Sequence, residues 1–268
     1  PDLQVPGIGS IVHHKLGLAS IPAVDLRAAC SSILYSLQIS RALIESGAAG
    51  VVLSCAAEAQ SKGLILDSQN AEISMLFGDG AGAFITASAP RPGACNLRID
   101  DVLIETDGCF ALDLCVKSAV GLGAHASNVS VTANADLRHA GLQQDEARPA
   151  YTHFPVMNGR VVILQAVRKL TEAAVKLLDR NGMKAEGINL IVPHQANLNL
   201  LNAVAKRLSV PMGRVAVNLD RYGNTSSASA FIALSDAWQQ GRLITGGKIL
   251  FLAFGAGFTW GAALCTCV

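Results

Sequence analysis

Apolar residues fall along this chain in two styles, and the difference between them predicts the elements. From Val24 to Ala87, short apolar runs alternate with a helical pattern. Ala23 to Arg27 reads as a strand. Ser31 to Ser46 reads as a helix that is apolar nearly all round (Ile33, Leu34, Leu37, Ile39, Leu43), hence central and buried, with Gly47 as its C-terminal stop. Gly50 to Cys55 lacks alternation, which predicts a strand buried on both faces. Phe77 to Ala83 is a glycine-rich turn leading into another strand through Thr86. From Pro90 to Asn158 the periodicity weakens and prolines and polar residues enter, so this stretch reads as a linker with inserted loops over the core.

From Gly159 onward the first style returns. Val161 to Arg180 predicts an amphipathic helix, Asn189 to Pro193 a strand, and Asn197 to Leu208 a helix. Val215 to Asn218 predicts a short strand, and Ser226 to Gln240 a helix capped by Thr225 or Ser226. Lys248 to Phe254 predicts a strand, then a glycine turn at 255–257, then a strand to Cys267. The run Ile249 to Val268 is 20 residues without charge, long enough to span a bilayer. Gly255, Gly257 and Gly261 divide it, so two buried strands joined by a turn are expected instead. FGDGAGAFITA and FGAGFTWGAAL end the two outer regions alike, which predicts two related α/β halves, 1–158 and 159–268. The first half is short: no strand–helix–strand unit precedes Ala23 to match the second half, so further N-terminal structure is expected.

Composition narrows the classes. The chain is 51% hydrophobic and 15% charged, which excludes intrinsic disorder. Net charge is +1, with no basic excess to neutralise a phosphate backbone, so nucleic-acid binding is not expected. So little charge on so apolar a chain points to a large buried interface, a homodimer. The 7 cysteines show no CxxC pair and no Cys/His metal spacing. Mostly buried thiols in a reducing compartment are expected, with Cys265 and Cys267 pointing the same way along one strand. The Walker A, HExxH and GxSxG patterns are absent, and GDGAGA reads as a turn where backbones approach closely, not as a phosphate loop.

Three residues are placed alike, each at a strand-to-helix junction. Cys30 lies at a predicted helix start, where the positive end of the helix dipole favours thiolate. His194 follows a buried strand in LIVPHQAN, and Asn224 lies in the loop DRYGNTSS before a helix. Each alone has a bland reading as a buried thiol, a satisfied polar group or a turn former. Together they suit acyl transfer: a thiolate attacks a thioester, His acts as base, acid or donor, and Asn donates to an oxygen gaining charge.

AAC before a helix, LFGDGAGA, VPHQAN, DRYGNTSSAS and AFGAGFTWGAAL, in this order, resemble the β-ketoacyl-acyl-carrier-protein synthase III family. The resemblance implies the thiolase fold, two pseudo-repeated βαβαβαββ halves in five α/β/α/β/α layers, and a cytoplasmic homodimer. It implies an acyl group passing from acyl-CoA to Cys30. Malonyl-acyl-carrier protein then loses carbon dioxide and attacks the acyl-enzyme. His194 and Asn224 would hold the malonyl thioester oxygen, and the N–H groups of Cys30 and Ala256 would form the oxyanion hole. Phe254 would lie beside the site, and Asn197 along the pantetheine channel. No metal, no redox cofactor and no membrane partner is implied.

The chain departs from the family pattern in several places. Cys30 comes early, so roughly a quarter of a complete chain is expected to precede it. Arg160 stands where an asparagine usually contacts the pantetheine, and Asn199 where a basic residue often helps dock the carrier, leaving Lys206, Arg207 and Arg214 as the docking patch. Ser31 and Ser32 replace small apolar residues and glycine. These changes point toward a specialised member with an unusual acyl group or acceptor. The alternatives are a non-decarboxylating acyltransferase of secondary metabolism, a non-catalytic partner subunit, and a papain-type hydrolase, whose CGSCW-like signature is absent.

Overall fold

The structure is a computed structural model and describes residues 5–62, 71–118 and 153–268. Its elements in chain order are α1 (Ile8–Lys15), α2 (Ser32–Glu45), β1 (Val51–Glu58), α3 (Ala71–Ser74), β2 (Gly80–Ala87), β3 (Leu97–Thr106), β4 (Leu114–Ser118) and β5 (His153–Met157). There follow α4 (Gly159–Arg180), β6 (Leu190–Pro193), α5 (Leu198–Arg207), α6 (Leu219–Tyr222), α7 (Ser229–Gln239), β7 (Lys248–Gly255) and β8 (Thr259–Cys267).

The centre is a four-stranded sheet in the order β3-β8-β7-β6. β6 and β7 run parallel, while β8 is antiparallel to both β7 and β3. Every residue of β8 is buried, and β6 and β7 are buried almost throughout. Continuous apolar runs are what a sheet covered on both faces requires. On one face, α4 and α5 pack Leu170, Leu177, Leu201 and Val204 against Leu250, Leu252 and Leu264. On the other, α2 and α7 pack Ile33, Leu34, Phe231 and Ala233 against Ile249, Phe251 and Cys265. Each such side chain contributes about 1.5–3 kcal/mol on burial. A second sheet, β1 antiparallel to β2, lies beyond α2 and α7, with Phe84 stacked on Phe231 at 5.2 Å. The described residues thus supply four layers, α/β/α/β. The units α2–β1–β2 and α7–β7–β8 share one plan, helix then antiparallel strand pair, as the matching glycine turns imply.

Several expectations are corrected. Ala23 to Arg27 forms no strand: no described residue pairs with it across a ladder, and Val24 is 74% exposed. β1 is not buried on both faces, because its two-stranded sheet is covered on one side by α2 and α7, leaving Leu53 and Ile85 outward at 44% and 58% exposure. β3 lies in the stretch read as linker and loops, yet it is an edge strand of the central sheet. The division at 158/159 therefore cuts that sheet. Residues 119–152 of the same stretch lie outside the described residues. Val215 to Asn218 is reduced to one parallel bridge, Val215 with Ile191. Neither Thr225 nor Ser226 caps α7 with its side chain; a 3-10 turn over Ser226–Ala228 leads into it instead. The thiols are not mostly buried: Cys55 and Cys109 are exposed, and only Cys265 and Cys267 are buried. Ile249 to Val268 forms β7 and β8, and among the described residues no helix is long and apolar enough to cross a membrane.

Candidate active site

The start of α2 fixes Cys30. A 3-10 turn over Ala29–Ser31 precedes the helix, and Ala29 sits at φ 44°, in the left-handed region. Such a conformation costs about 1–3 kcal/mol for a non-glycine residue and persists where its surroundings over-determine it. The Ser31 and Ser32 hydroxyls donate to the Ala28 and Ala29 carbonyls at 2.7 and 2.6 Å. Local bonding absorbs both polar groups, which lets two serines stand at this buried helix start. Gly255 at the end of β7 lies directly against the turn: a Cβ there would sit 3.0 Å from the Cys30 amide nitrogen and 3.1 Å from that of Ser31. Ala256 follows in the β7–β8 turn. The two amides read as an oxyanion pair are thus carried on segments in contact.

The loop 224–229 joins the three candidates. Cys30 Sγ lies 3.4 Å from Ser226 Oγ. The Ser226 amide donates to Asn224 Oδ1 at 2.8 Å, which leaves the Asn224 Nδ2 protons for another acceptor. His194 is held at the end of β6, its amide donating to the Leu252 carbonyl at 2.7 Å, and its Nδ1 meets Ser229 Oγ at 2.7 Å. Ser226 is also at positive φ, 46°, so left-handed residues flank the Cys30–Ser226 contact. Glu58, the last residue of β1, accepts from the Ser227 hydroxyl at 2.6 Å and from its amide at 3.2 Å, tying the loop to the second sheet.

Gly78 secures the same loop. Its amide donates to the Asn224 carbonyl at 3.0 Å, and the Asn224 amide donates to the Leu76 carbonyl at 2.8 Å. A Cβ on Gly78 would overlap the Tyr222 carbonyl oxygen. The glycine run is therefore a close backbone approach, as expected. Gly78→Ala should lower unfolding stability by about 2–3 kcal/mol in urea titration, because backbone cannot yield as a flexible side chain would.

Electrostatics correct one expectation. Burial, with Glu58 nearby, pushes the Cys30 thiol up to about 11, against a smaller lowering by Ser226 and by its own amide. Burial therefore opposes the thiolate that the helix start was expected to favour. Burial pushes His194 down to about 4, opposed by the Ser226 backbone, so the ring is neutral at pH 7. The unfolded chain takes up this proton near pH 6.5 and the folded chain only near 4, so stability is lost as pH falls across that window. The loss is roughly 3 kcal/mol. His194→Asn should remove that part of the acid sensitivity when urea midpoints at pH 6.5 and 4.5 are compared.

The remaining sequence candidates scatter. Asn197 caps α5, its Oδ1 accepting from the Leu200 amide at 2.8 Å. Phe254 packs on Phe258 at 4.9 Å, within the cluster on the α4 and α5 side of the sheet. Arg160 is exposed on the first turn of α4. Lys206 and Arg207 are exposed in the last turn of α5, whereas Arg214 spends Nη1 on the Glu186 carbonyl at 3.0 Å. Ser226, Ser229 and Glu58 escaped sequence reasoning. The signal for the two serines was the run TSSAS after Asn224, where small polar residues stand at the start of an otherwise apolar helix; Glu58 had none.

Residues 24–108 match the family model described as 3-oxoacyl-[acyl-carrier-protein] synthase III, and residues 178–267 match its C-terminal model. The chain is 37% identical to the β-ketoacyl-[acyl-carrier-protein] synthase III of Oleidesulfovibrio alaskensis, over 98% of this chain and 74% of that protein. Among solved structures, the corresponding synthase of Thermus thermophilus is 35% identical with a TM-score of 0.79, over 100% of this chain and 74% of that one. That of Aquifex aeolicus is 31% identical with a TM-score of 0.81, over 99% and 74%. The architecture is the thiolase fold, and the chain is an acyl-transferring enzyme of that class. It belongs to the 3-oxoacyl-[acyl-carrier-protein] synthase III family.

Proposed function

We propose that this enzyme joins an acyl group from acyl-CoA to malonyl-acyl-carrier protein through an acyl-Cys30 intermediate. The observation that carries this reading is the loop 224–229, which links Cys30, His194 and Asn224 by hydrogen bonds of 2.7–3.4 Å through Ser226 and Ser229.

In the first stage Cys30 Sγ attacks the donor carbonyl, the carbon–sulfur bond to CoA breaks, and the thiol proton leaves with the CoA sulfur. In the second, the malonyl carbon–carboxylate bond breaks and carbon dioxide departs. Its electron pair passes into the thioester as an enolate. His194 Nε2–H and the Asn224 amide donate to the enolate oxygen, and a neutral His194 suits a donor rather than a fixed charge. The carbanion then attacks the acyl-Cys30 carbonyl. The oxygen that gains charge is received by the Cys30 and Ala256 amides, and the Cys30 sulfur departs as thiolate, to be reprotonated from water. Side chains and backbone amides perform every step, with no metal or redox group.

Asn197 and Arg160 would line the approach of pantetheine, with Phe254 closing the inner wall, and Lys206 with Arg207 would meet an acidic carrier. We place the enzyme in the cytoplasm as a homodimer, acting in fatty acid biosynthesis, with two thiolase-like halves of which the first lends β3 to the sheet of the second.

The test is carbon dioxide release from malonyl-acyl-carrier protein in the presence of acyl-CoA. Release matched by 3-oxoacyl product supports condensation, and acyl transfer without release contradicts it. A raised thiol makes a second prediction. Thiolate grows tenfold per pH unit below about 11, so single-turnover acylation of Cys30 should accelerate steadily between pH 7 and pH 10. A rate flat above pH 8 would show that the thiol ionises far more readily.

A further inference from the structure

Ser226 is tied into the fold by its backbone, which leaves its hydroxyl for other use. Its amide donates to Asn224 Oδ1 at 2.8 Å, and its carbonyl accepts the Ser229 hydroxyl at 2.9 Å. The next residue, Ser227, donates twice to Glu58. A φ of 46° at Ser226 persists because these bonds over-determine it. The hydroxyl itself has one hydrogen-bond partner among the described residues, Cys30 Sγ at 3.4 Å. A hydroxyl can give a proton or receive one, and so can a thiol. While Cys30 is protonated, either direction serves. A thiolate has no proton to give, so once the sulfur ionises only Ser226 can donate.

No cation among the described residues shares that task. The turn that carries Cys30 packs against α2, β7, β8 and the turn over 226–228. Arg41 and Glu45 stand at the far end of α2, Lys248 at the far end of β7, and Cys265 and Cys267 at the far end of β8. Tyr35 of α2 is bonded to Thr259 Oγ1 at 2.8 Å, and Arg27, ahead of the turn, is exposed. The 226–228 turn carries no charge. Glu58 opposes a second negative charge, and His194 is neutral at pH 7. The groups that act against burial are the Ser226 hydroxyl and the Cys30 amide.

We propose that Ser226 is a catalytic residue: its hydroxyl donates to Cys30 Sγ whenever that sulfur carries charge, first as it attacks the acyl donor and again as it departs after condensation. Ser226 keeps its proton throughout, and the thiol proton still leaves with the CoA sulfur. A donor held in place before the charge forms costs no reorganisation when it does. This inference rests on the function proposed above, in which Cys30 is the nucleophile.

The experiment is alkylation of Cys30 by iodoacetamide between pH 7 and pH 9, with peptide mapping to separate it from the other cysteines. Losing a hydrogen bond to a charged group should make the thiolate about thirtyfold scarcer, but a more basic sulfur is also the better nucleophile. Ser226→Ala and Ser226→Gly should therefore each slow alkylation about fivefold at every pH, and single-turnover acylation likewise. Glycine adopts positive φ freely and alanine does not, so equal losses assign the effect to the hydroxyl. A serine that only shaped the loop would also disturb Asn224, which its amide holds. Uncoupled carbon dioxide release from malonyl-acyl-carrier protein reads Asn224. Adding Ser226→Gly to Cys30→Ala should lower that release no further, because the sulfur that Ser226 serves is already gone. Alkylation at the wild-type rate in Ser226→Gly, or a fivefold loss of carbon dioxide release in the double variant, overturns the proposal. Failure of wild type to take an acyl group from any acyl-CoA would instead strike the proposed function, and alkylation would still report what Ser226 does to the sulfur.

Discussion

Replacing Cys30 with alanine should abolish the acyl-enzyme and lower condensation at least about a thousandfold, with the fold kept. The change removes one sulfur atom from a partly buried site, and the contacts that build the turn are made by backbone and by Ser31 and Ser32. The thermal midpoint should therefore shift little while the covalent intermediate disappears. Decarboxylation of malonyl-acyl-carrier protein depends on other residues, so a slow uncoupled release of carbon dioxide should survive. A normal acyl-enzyme in Cys30→Ala would place the nucleophile elsewhere.

His194→Ala should divide the two stages the other way. Cys30 should still take up the acyl group within a few-fold of the normal rate. Condensation should fall about a hundredfold to a thousandfold, the usual cost of losing one donor to a developing oxyanion. The variant also removes the ring from beside Ser229, whose hydroxyl keeps its bond to the Ser226 carbonyl. Because His194 is a neutral donor, the loss should be similar from pH 6.5 to pH 8. A variant that condenses normally would remove His194 from the second stage.

How much of this was legible in the sequence differs from element to element. The helices α4 and α5 lie where the 3.6-residue pattern puts them, because each buries one coherent apolar face; α2, read as apolar all round, buries Ile33, Leu34 and Leu37 but leaves Ile39 36% exposed. β7 and β8 were legible as uninterrupted apolar runs, since the central sheet is covered on both sides. β3 was not: it is an edge strand whose alternation breaks at Asp100 and Asp101, where its ladder shifts register, and Arg98 with this acidic pair made it look like loop. Ala23 to Arg27 and β1 erred in the opposite sense, because apolar composition does not reveal whether a covering layer is present. At the site, Cys30, His194 and Asn224 stood out as residues placed alike at strand-to-helix junctions, although of the three only His194 directly follows a strand. What it could not reveal was the loop 224–229 that joins them, because hydrogen bonds among Ser226, Ser229 and His194 depend on two segments meeting in space. Nor could it show the raised thiol, since the dipole is written in the local sequence and burial is not.

The most direct measurement is intact-protein mass spectrometry after mixing the enzyme with a panel of acyl-CoAs, followed by peptide mapping. The peptide containing Cys30 should gain one acyl group, with the preferred donor giving the fullest conversion. The exposed Cys55 and Cys109 serve as internal controls and should stay unmodified. An acyl group on either of them in place of Cys30, or product formed at full rate while Cys30 remains free, would contradict it.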